Sequence, residues 1–252
     1  MELKSVQDVI EALGAIVDDA LVARDRRGLF AALYRRTTRG VLVAIEQGRF
    51  ENPERMEELD IRFAQRYFDA WNRFEADGTA PRTWAYAFER AREDAPHVLQ
   101  HLLLGMNAHI AFDLAMSVVD TIGGSDLAPL ERDFFEVNRV LAAMVDEVQE
   151  ELHRTSPWLA RLDHVGGRLD EHLAATFLAR ARSAAWRKAQ RLATLSASDR
   201  IAEIGRWERQ VEGVARRICP PDGHRWGRVR GRRVGAFGTD RAHLPALLAT
   251  LA

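Results

Sequence analysis

A single cysteine, Cys219, stands in the 252 residues. A lone thiol closes no internal disulfide and supplies no cysteine zinc site. Glycine and proline are sparse before residue 219 and gather at a few joints. Between those joints no stretch alternates apolar and polar residues long enough to require a sheet. No uninterrupted apolar run approaches the roughly 18 residues of a membrane span, so none is expected. The opening residues, Met1 to Asp8, are polar and acidic, unlike a secretory signal or an arginine-rich transit peptide. A cytoplasmic protein is therefore expected. Several catalytic words are missing as well. No glycine-rich phosphate loop follows a strand, and there is no Gly-x-Ser-x-Gly elbow, no His-Glu-x-x-His and no Asp-Asp-x-x-Asp. Glu150-x-x-His153 occurs once, where a di-iron bundle needs the motif twice.

What is present is a globular composition, 47% hydrophobic and 29% charged. A chain of this length can bury about 70–75% of its unfolded surface, so core size does not limit stability. The apolar period is 3.6, and the joints divide nearly all of residues 5–217 into helices. The spans expected are 5–24, 27–47, 53–77, 82–93, 95–121, 128–154, 168–194 and 198–217. The fifth is apolar on nearly every side, which makes it the central helix. The fold class is all-α: a single multi-helix bundle over 1–218, followed by an Arg/Gly-rich C-terminal arm and a short docking segment over 219–252.

The formal net charge is −1, unevenly spread. Residues 216–241 hold eight arginines against Asp222 and Asp240, while residues 1–215 are acidic. Trp226 and Phe237 interleave with those arginines as a nucleic-acid contact would. The acidic body and the lack of any nucleic-acid module argue against that partner. They favour an arm that packs on the bundle or on a second subunit of a homo-oligomer.

The most informative stretch runs from His101 to Asp113. His101, Gly105, His109 and Asp113 recur every four residues, so they form one slowly drifting stripe. His109 and Asp113 project side by side from the most apolar helix, where polar groups need partners. Two readings stand together. The pair is a metal-ligand set or an oriented acid/base, or it is a buried hydrogen bond that fixes two helices. Gly105, one turn earlier, leaves room for another element to approach. Asn107 lies on the far side of the helix and is expected to bond a neighbouring helix. Asp60, Asn138, Arg180 and His153 also interrupt apolar faces. Asp60, Asn138 and Arg180 are candidates to complete a site around His109 and Asp113 inside the bundle.

Several words resemble one bacterial family. They are Phe30-Ala-Ala-Leu-Tyr-Arg-Arg-Thr-Thr-Arg-Gly, Met56-Glu-Glu-Leu-Asp-Ile-Arg-Phe-Ala-Gln-Arg-Tyr, Pro81-Arg-Thr-Trp84, Gly105-Met-Asn-Ala-His-Ile and Asp133-Phe-Phe-Glu-Val-Asn138. Over about 25–190 the chain resembles the uncharacterised helical family DUF5995. The resemblance implies an all-helical domain and brings no activity with it. Many members of that family carry a second His directly before the Asp, where this chain has Phe112. More distantly, His-x3-Asp on a core helix is similar to zinc-dependent phospholipase C and related nucleases. Those proteins use several His ligands and a second His-x3-Glu pair, which this chain lacks.

The expectation is an enzyme with a buried polar site on His109 and Asp113, helped by Asp60, Asn138 and Arg180. A divalent metal, if bound, takes His109 and Asp113 as ligands. Apolar walls imply a largely apolar small molecule, such as a lipid, isoprenoid or polyketide. The alternative is a non-catalytic small-ligand-binding or oligomeric scaffold in which the pair is structural.

Overall fold

The computed structural model describes residues 3–93, 96, 98–155, 171–221 and 244–251, with backbone alone for 145–155, 171–177 and 250. Among them there is no strand. The helices are α1 (Val6–Ala23), α2 (Gly28–Glu46), α3 (Pro53–Asp77), α4 (Arg82–Ala91), α5 (Val98–Ile122), α6 (Ala128–Thr155), α7 (Glu171–Ala193), α8 (Ala197–Ile218) and α9 (Leu244–Leu251). The expected spans fall within a few residues of these, because caps and breakers are written locally. Ser5 accepts the Asp8 N–H at 3.1 Å and Asp8 accepts the Ser5 N–H at 3.0 Å, a reciprocal cap on α1. Asn52 caps α3 by accepting the Arg55 N–H at 2.8 Å, with Pro53 in its first turn. Gly78 ends α3 and Gly123 ends α5 with left-handed backbone, φ 77° and 68°.

Two lobes of core are strung on α5. Val98, Leu102, Leu104 and Ala108 belong to the first, with Val9, Leu13 and Val17 of α1, Leu29 and Phe30 of α2, and Tyr67 and Phe74 of α3. Phe112, Leu114, Met116, Val118 and Val119 belong to the second, with Leu130, Phe134 and Val137 of α6, Trp186 and Leu192 of α7, and Trp207 of α8. At about 25 cal/mol per Å² of apolar surface this burial is the main stabilising term. The apolar docking segment is α9, whose Leu244, Leu247, Leu248 and Leu251 sit in the first lobe. The arginine-rich stretch over about 222–240, with Trp226 and Phe237, lies outside the described residues.

By length and composition α5 is the one helix among the described residues that could cross a membrane, but most of it is buried inside the bundle. It is not a regular α-helix throughout. Residues His109–Asp113 form a π turn, in which the Leu114 N–H bonds the His109 carbonyl five residues back. The Ser117 hydroxyl donates to the Asp113 carbonyl at 3.1 Å, and the Thr121 hydroxyl to the Ser117 carbonyl at 2.8 Å. These bonds satisfy backbone oxygens along the run that follows the wide turn.

Ion pairs tie the remaining helices together. The buried Asp133 carboxylate accepts the Glu51 and Asn52 N–H groups at 2.7 and 2.9 Å, which fixes α6 to the entry of α3. Glu203 of α8 takes Lys188 and Arg191 of α7 at 3.2 and 3.0 Å and Arg206 at 2.7 Å, and these cations hold its carboxyl below the usual range.

Gly105 admits the ring of Phe30, as its place on the stripe suggests: a methyl there would overlap that ring. Phe30 is itself buried. Gly105→Ala should therefore destabilise the fold by about 1–3 kcal/mol by overpacking, with helicity kept, as measured by urea unfolding followed by circular dichroism.

Candidate functional site

The imidazole of His109 and the carboxylate of Asp113 meet in the π turn, Nδ1 to Oδ2 at 3.2 Å, and both residues are 2% exposed. A third residue completes the set. Trp84 of α4 donates its indole Nε1–H to the same Oδ2 at 2.8 Å. A buried indole needs an acceptor, and a buried carboxylate needs donors; each satisfies the other. Charge-assisted bonds of this kind are worth about 1.5–3 kcal/mol. Trp84→Phe, which keeps an aromatic ring and removes the donor, should cost about that much in chemical denaturation.

The imidazole is enclosed by rings. Phe63 stacks on it with centroids 3.5 Å apart and planes 7° from parallel. Tyr34 meets it edge-on at 4.5 Å, and Phe30, Trp84 and Tyr67 stand at 5.7, 5.9 and 6.3 Å. Burial pushes the His109 pKa down, and Asp113 opposes that only in part. The ring is therefore neutral near pH 7. Donation from Nδ1 to the carboxylate leaves Nε2 as an acceptor, and Nε2 has no partner among the described residues. The hydroxyls of Tyr34 and Tyr67 and the Thr38 hydroxyl are buried without partners too.

Asp113 faces His109 Nδ1 and gives Oδ2 to that nitrogen and to the indole. Among the described residues no third His, Cys, Asp or Glu stands with them. The donor set is that of a hydrogen-bonded pair.

The proposed helpers occupy three different places. Asp60 is buried on α3, and burial, with Glu57, pushes its carboxyl up to about 7 while Arg182 partly offsets this. Its charge acts on Tyr34, as does that of Asp113: burial and both acids raise the Tyr34 pKa well above its usual value. Asn138 accepts the Arg182 Nε–H at 2.7 Å, and Arg182 also donates to the Phe134 carbonyl at 2.9 Å and lies over the Phe134 ring. Arg180 is exposed. The inward stripe of α7 runs through Arg182, Ala185, Trp186, Ala189 and Leu192, about 200° from the phase that would bury Arg180. Among the described residues no hydrogen bond joins Asp60, Asn138 or Arg182 to His109 or Asp113. Asn107 donates to the Val211 carbonyl of α8 at 3.0 Å, the interhelical bond expected of it. The side chain of His153 lies outside the described residues.

A pocket of about 490 Å³ reaches the pair from the surface. Its walls are α3 (Arg66, Ala70, Arg73), the start of α4 (Pro81, Arg82) and α5 (Phe112, Asp113, Met116), with Glu208 of α8. Asp113 is the member of the pair that it touches. Sequence reasoning missed Trp84 as a partner, the ring enclosure and Arg182. Trp84 was within reach, because a tryptophan on a buried short helix must find an acceptor; the rings come from three separate helices.

The described residues form an all-α bundle whose core helix brings Asp113, bonded to His109 and Trp84, to the wall of a pocket. The chain belongs to DUF5995, a family of unknown function, whose model matches residues 6–221. Neither a curated protein nor a solved structure matches it at a significant level.

Asp60 gives a pH signature. Its carboxyl holds a proton to about pH 7 when folded and to about 3.9 in an unfolded chain. Between those values the folded state binds more protons, so the contribution of Asp60 to stability is full below about pH 4 and is lost as the pH rises through 7. Asp60→Asn should therefore gain on the parent protein between pH 4 and pH 8, by on the order of 4 kcal/mol. Parallel denaturant titrations at the two pH values read this difference directly.

Proposed function

We propose that the protein is an enzyme that performs acid–base chemistry on a largely apolar small molecule bound in the pocket at Asp113. The observation that supports this is the double bond to one oxygen. Trp84 and His109 both hold Oδ2, and Asp113 lines the pocket. Oδ1 is left to meet a guest. Asp113 is then the group that takes a proton from the substrate and returns it. His109 stands behind it as a positioning residue that fixes the carboxylate through Nδ1–H. This reverses the order in which Asp113 merely orients His109, because the pocket reaches the acid and not the imidazole. A carboxylate fixed in direction is placed to accept a proton from one position of the guest. A cytoplasmic location goes with this reading, supported by a single buried cysteine.

One observation favours the second reading, a non-catalytic protein with a structural pair: His109 is closed in by rings on every described side. The two part at Asp113→Asn, which keeps the shape and removes the charge. The test incubates a total small-molecule extract with parent or variant and compares products by mass spectrometry. On the enzymatic reading, at least one compound turns over about tenfold more slowly with the variant, while thermal melting shifts by no more than about 1–2 kcal/mol. A variant that loses most of its stability, or one that handles the extract as the parent does, sinks the enzymatic reading.

A further inference from the structure

The pocket wall carries three guanidinium and three carboxylate groups, and the two exposed arginines, Arg73 and Arg82, are the least engaged of the six within the protein. Each acid is engaged from within the protein. Asp69 accepts the Gln65 amide at 2.7 Å, Glu208 accepts the Arg82 backbone N–H at 2.8 Å, and Asp113 holds Trp84 and His109. The arginines are placed otherwise. Arg66 pairs with Asp120 and reaches the Met116 sulfur at 3.7 Å. Arg82 has Glu212 only at 3.7 Å. Arg73 forms no close ion pair among the described residues; its charge acts on Asp77, one turn on, which accepts the Thr79 N–H at 2.8 Å.

These groups are also arranged along the pocket. Arg73 stands near the end of α3 and Arg82 at the start of α4, the two helix ends that residues 78–81 connect. Ala70, Phe112 and Met116 supply apolar wall toward Asp113 and Arg66. The first turn of α4 carries the positive end of its backbone dipole, and it already draws the Glu208 carboxylate to the Arg82 N–H. A volume of about 490 Å³ lies within the range of small-molecule sites.

We infer that this pocket binds an amphiphile with one anionic oxygen head, a carboxylate or a phosphate, held by Arg73 and Arg82, with its apolar body laid along Ala70, Phe112 and Met116 toward Asp113. The inference rests on the reading of Asp113 as the reacting group and adds the class of substrate. Arginine suits both heads, because its planar fork meets two oxygens at once. The Asp113 carboxylate in the same wall repels an anionic head and so favours the pose with the head on the arginines.

The test is calorimetric binding of octanoate, octyl phosphate and octanol to the parent protein, below their aggregation limits. Octanoate or octyl phosphate should bind at least about tenfold more tightly than octanol. The stronger of the two identifies the head, and equal binding means that any small oxyanion is accepted. Arg73→Gln with Arg82→Gln should remove that margin and leave octanol binding unchanged. Both side chains are exposed, so melting should match the parent. Raising salt from roughly 50 to 500 mM should weaken the two anions alone. Octanol binding as well as the anions, or a double variant that binds them as the parent does, overturns the inference. Anion binding lost in the double variant, together with an Asp113→Asn protein that changes no turnover, keeps the pocket assignment and removes the enzymatic reading. Altered turnover in Asp113→Asn with no preference for anions does the reverse.

Discussion

A carboxylate inside a ring-lined core governs the centre of this protein. Asp113 is 2% exposed on the most apolar helix, and a bare charge there would be costly enough to undo the fold. It is tolerated because two N–H groups from two different elements reach the same oxygen. That requirement propagates outward. Trp84 must be held in place, so α4 is anchored to α3 by aromatic contacts, Tyr67 against the indole at 5.1 Å and Phe74 against Phe88 at 5.1 Å. His109 must present Nδ1, so its ring is clamped between Phe63 and the edge of Tyr34. Gly105 must be glycine so that Phe30 can close the enclosure from α2.

The same centre lies where the two lobes of core meet. α2, α3, α5 and α8 each contribute to both lobes, with the crossover in mid-helix. A polar set at the junction has one property that an apolar one lacks: it is directional, and so it sets how the lobes face each other. The unpartnered hydroxyls of Tyr34, Thr38 and Tyr67 and the bare Nε2 of His109 lie on the elements around this junction. Buried polar atoms in native proteins are nearly always satisfied, by water if not by protein.

Helix spans were legible because they are written locally, in Ser5, Asn52-Pro53, Gly78, Gly123 and Ser196, and the stripe between caps has one period. The central place of α5 followed from its composition alone. The His109–Asp113 contact was legible for the same reason, since four residues on any helix bring two side chains together. What lay beyond was everything that depends on which helices face each other. Arg180 and Arg182 are equally plausible from composition, and only the phase of α7 against α6 buries one and exposes the other. Asp60 looked like a direct partner of the pair, yet among the described residues no hydrogen bond joins them; the Arg182 charge acts on Asp60, and the field of Asp60 acts on Tyr34. Trp84, from a separate short helix, takes a hydrogen bond to the Asp113 carboxylate that spacing along α5 alone could not indicate.

The π turn at His109–Asp113 carries one residue more than a regular turn spans. Each residue of an α-helix advances about 100° around the axis. The wide turn therefore works as a phase shifter: the angular reckoning from Val98 to Ala108 does not continue into Leu114–Ile122. One rod can then direct one set of side chains into the first lobe and a differently oriented set into the second, which a strictly periodic helix could not do. Because the wide turn closes over five residues what a regular turn closes over four, deleting a single residue there would restore regular geometry and leave Leu114, Val118 and Val119 at nearly their present angle. The same deletion within Val98–Ala108 would instead turn everything that follows by about 100°.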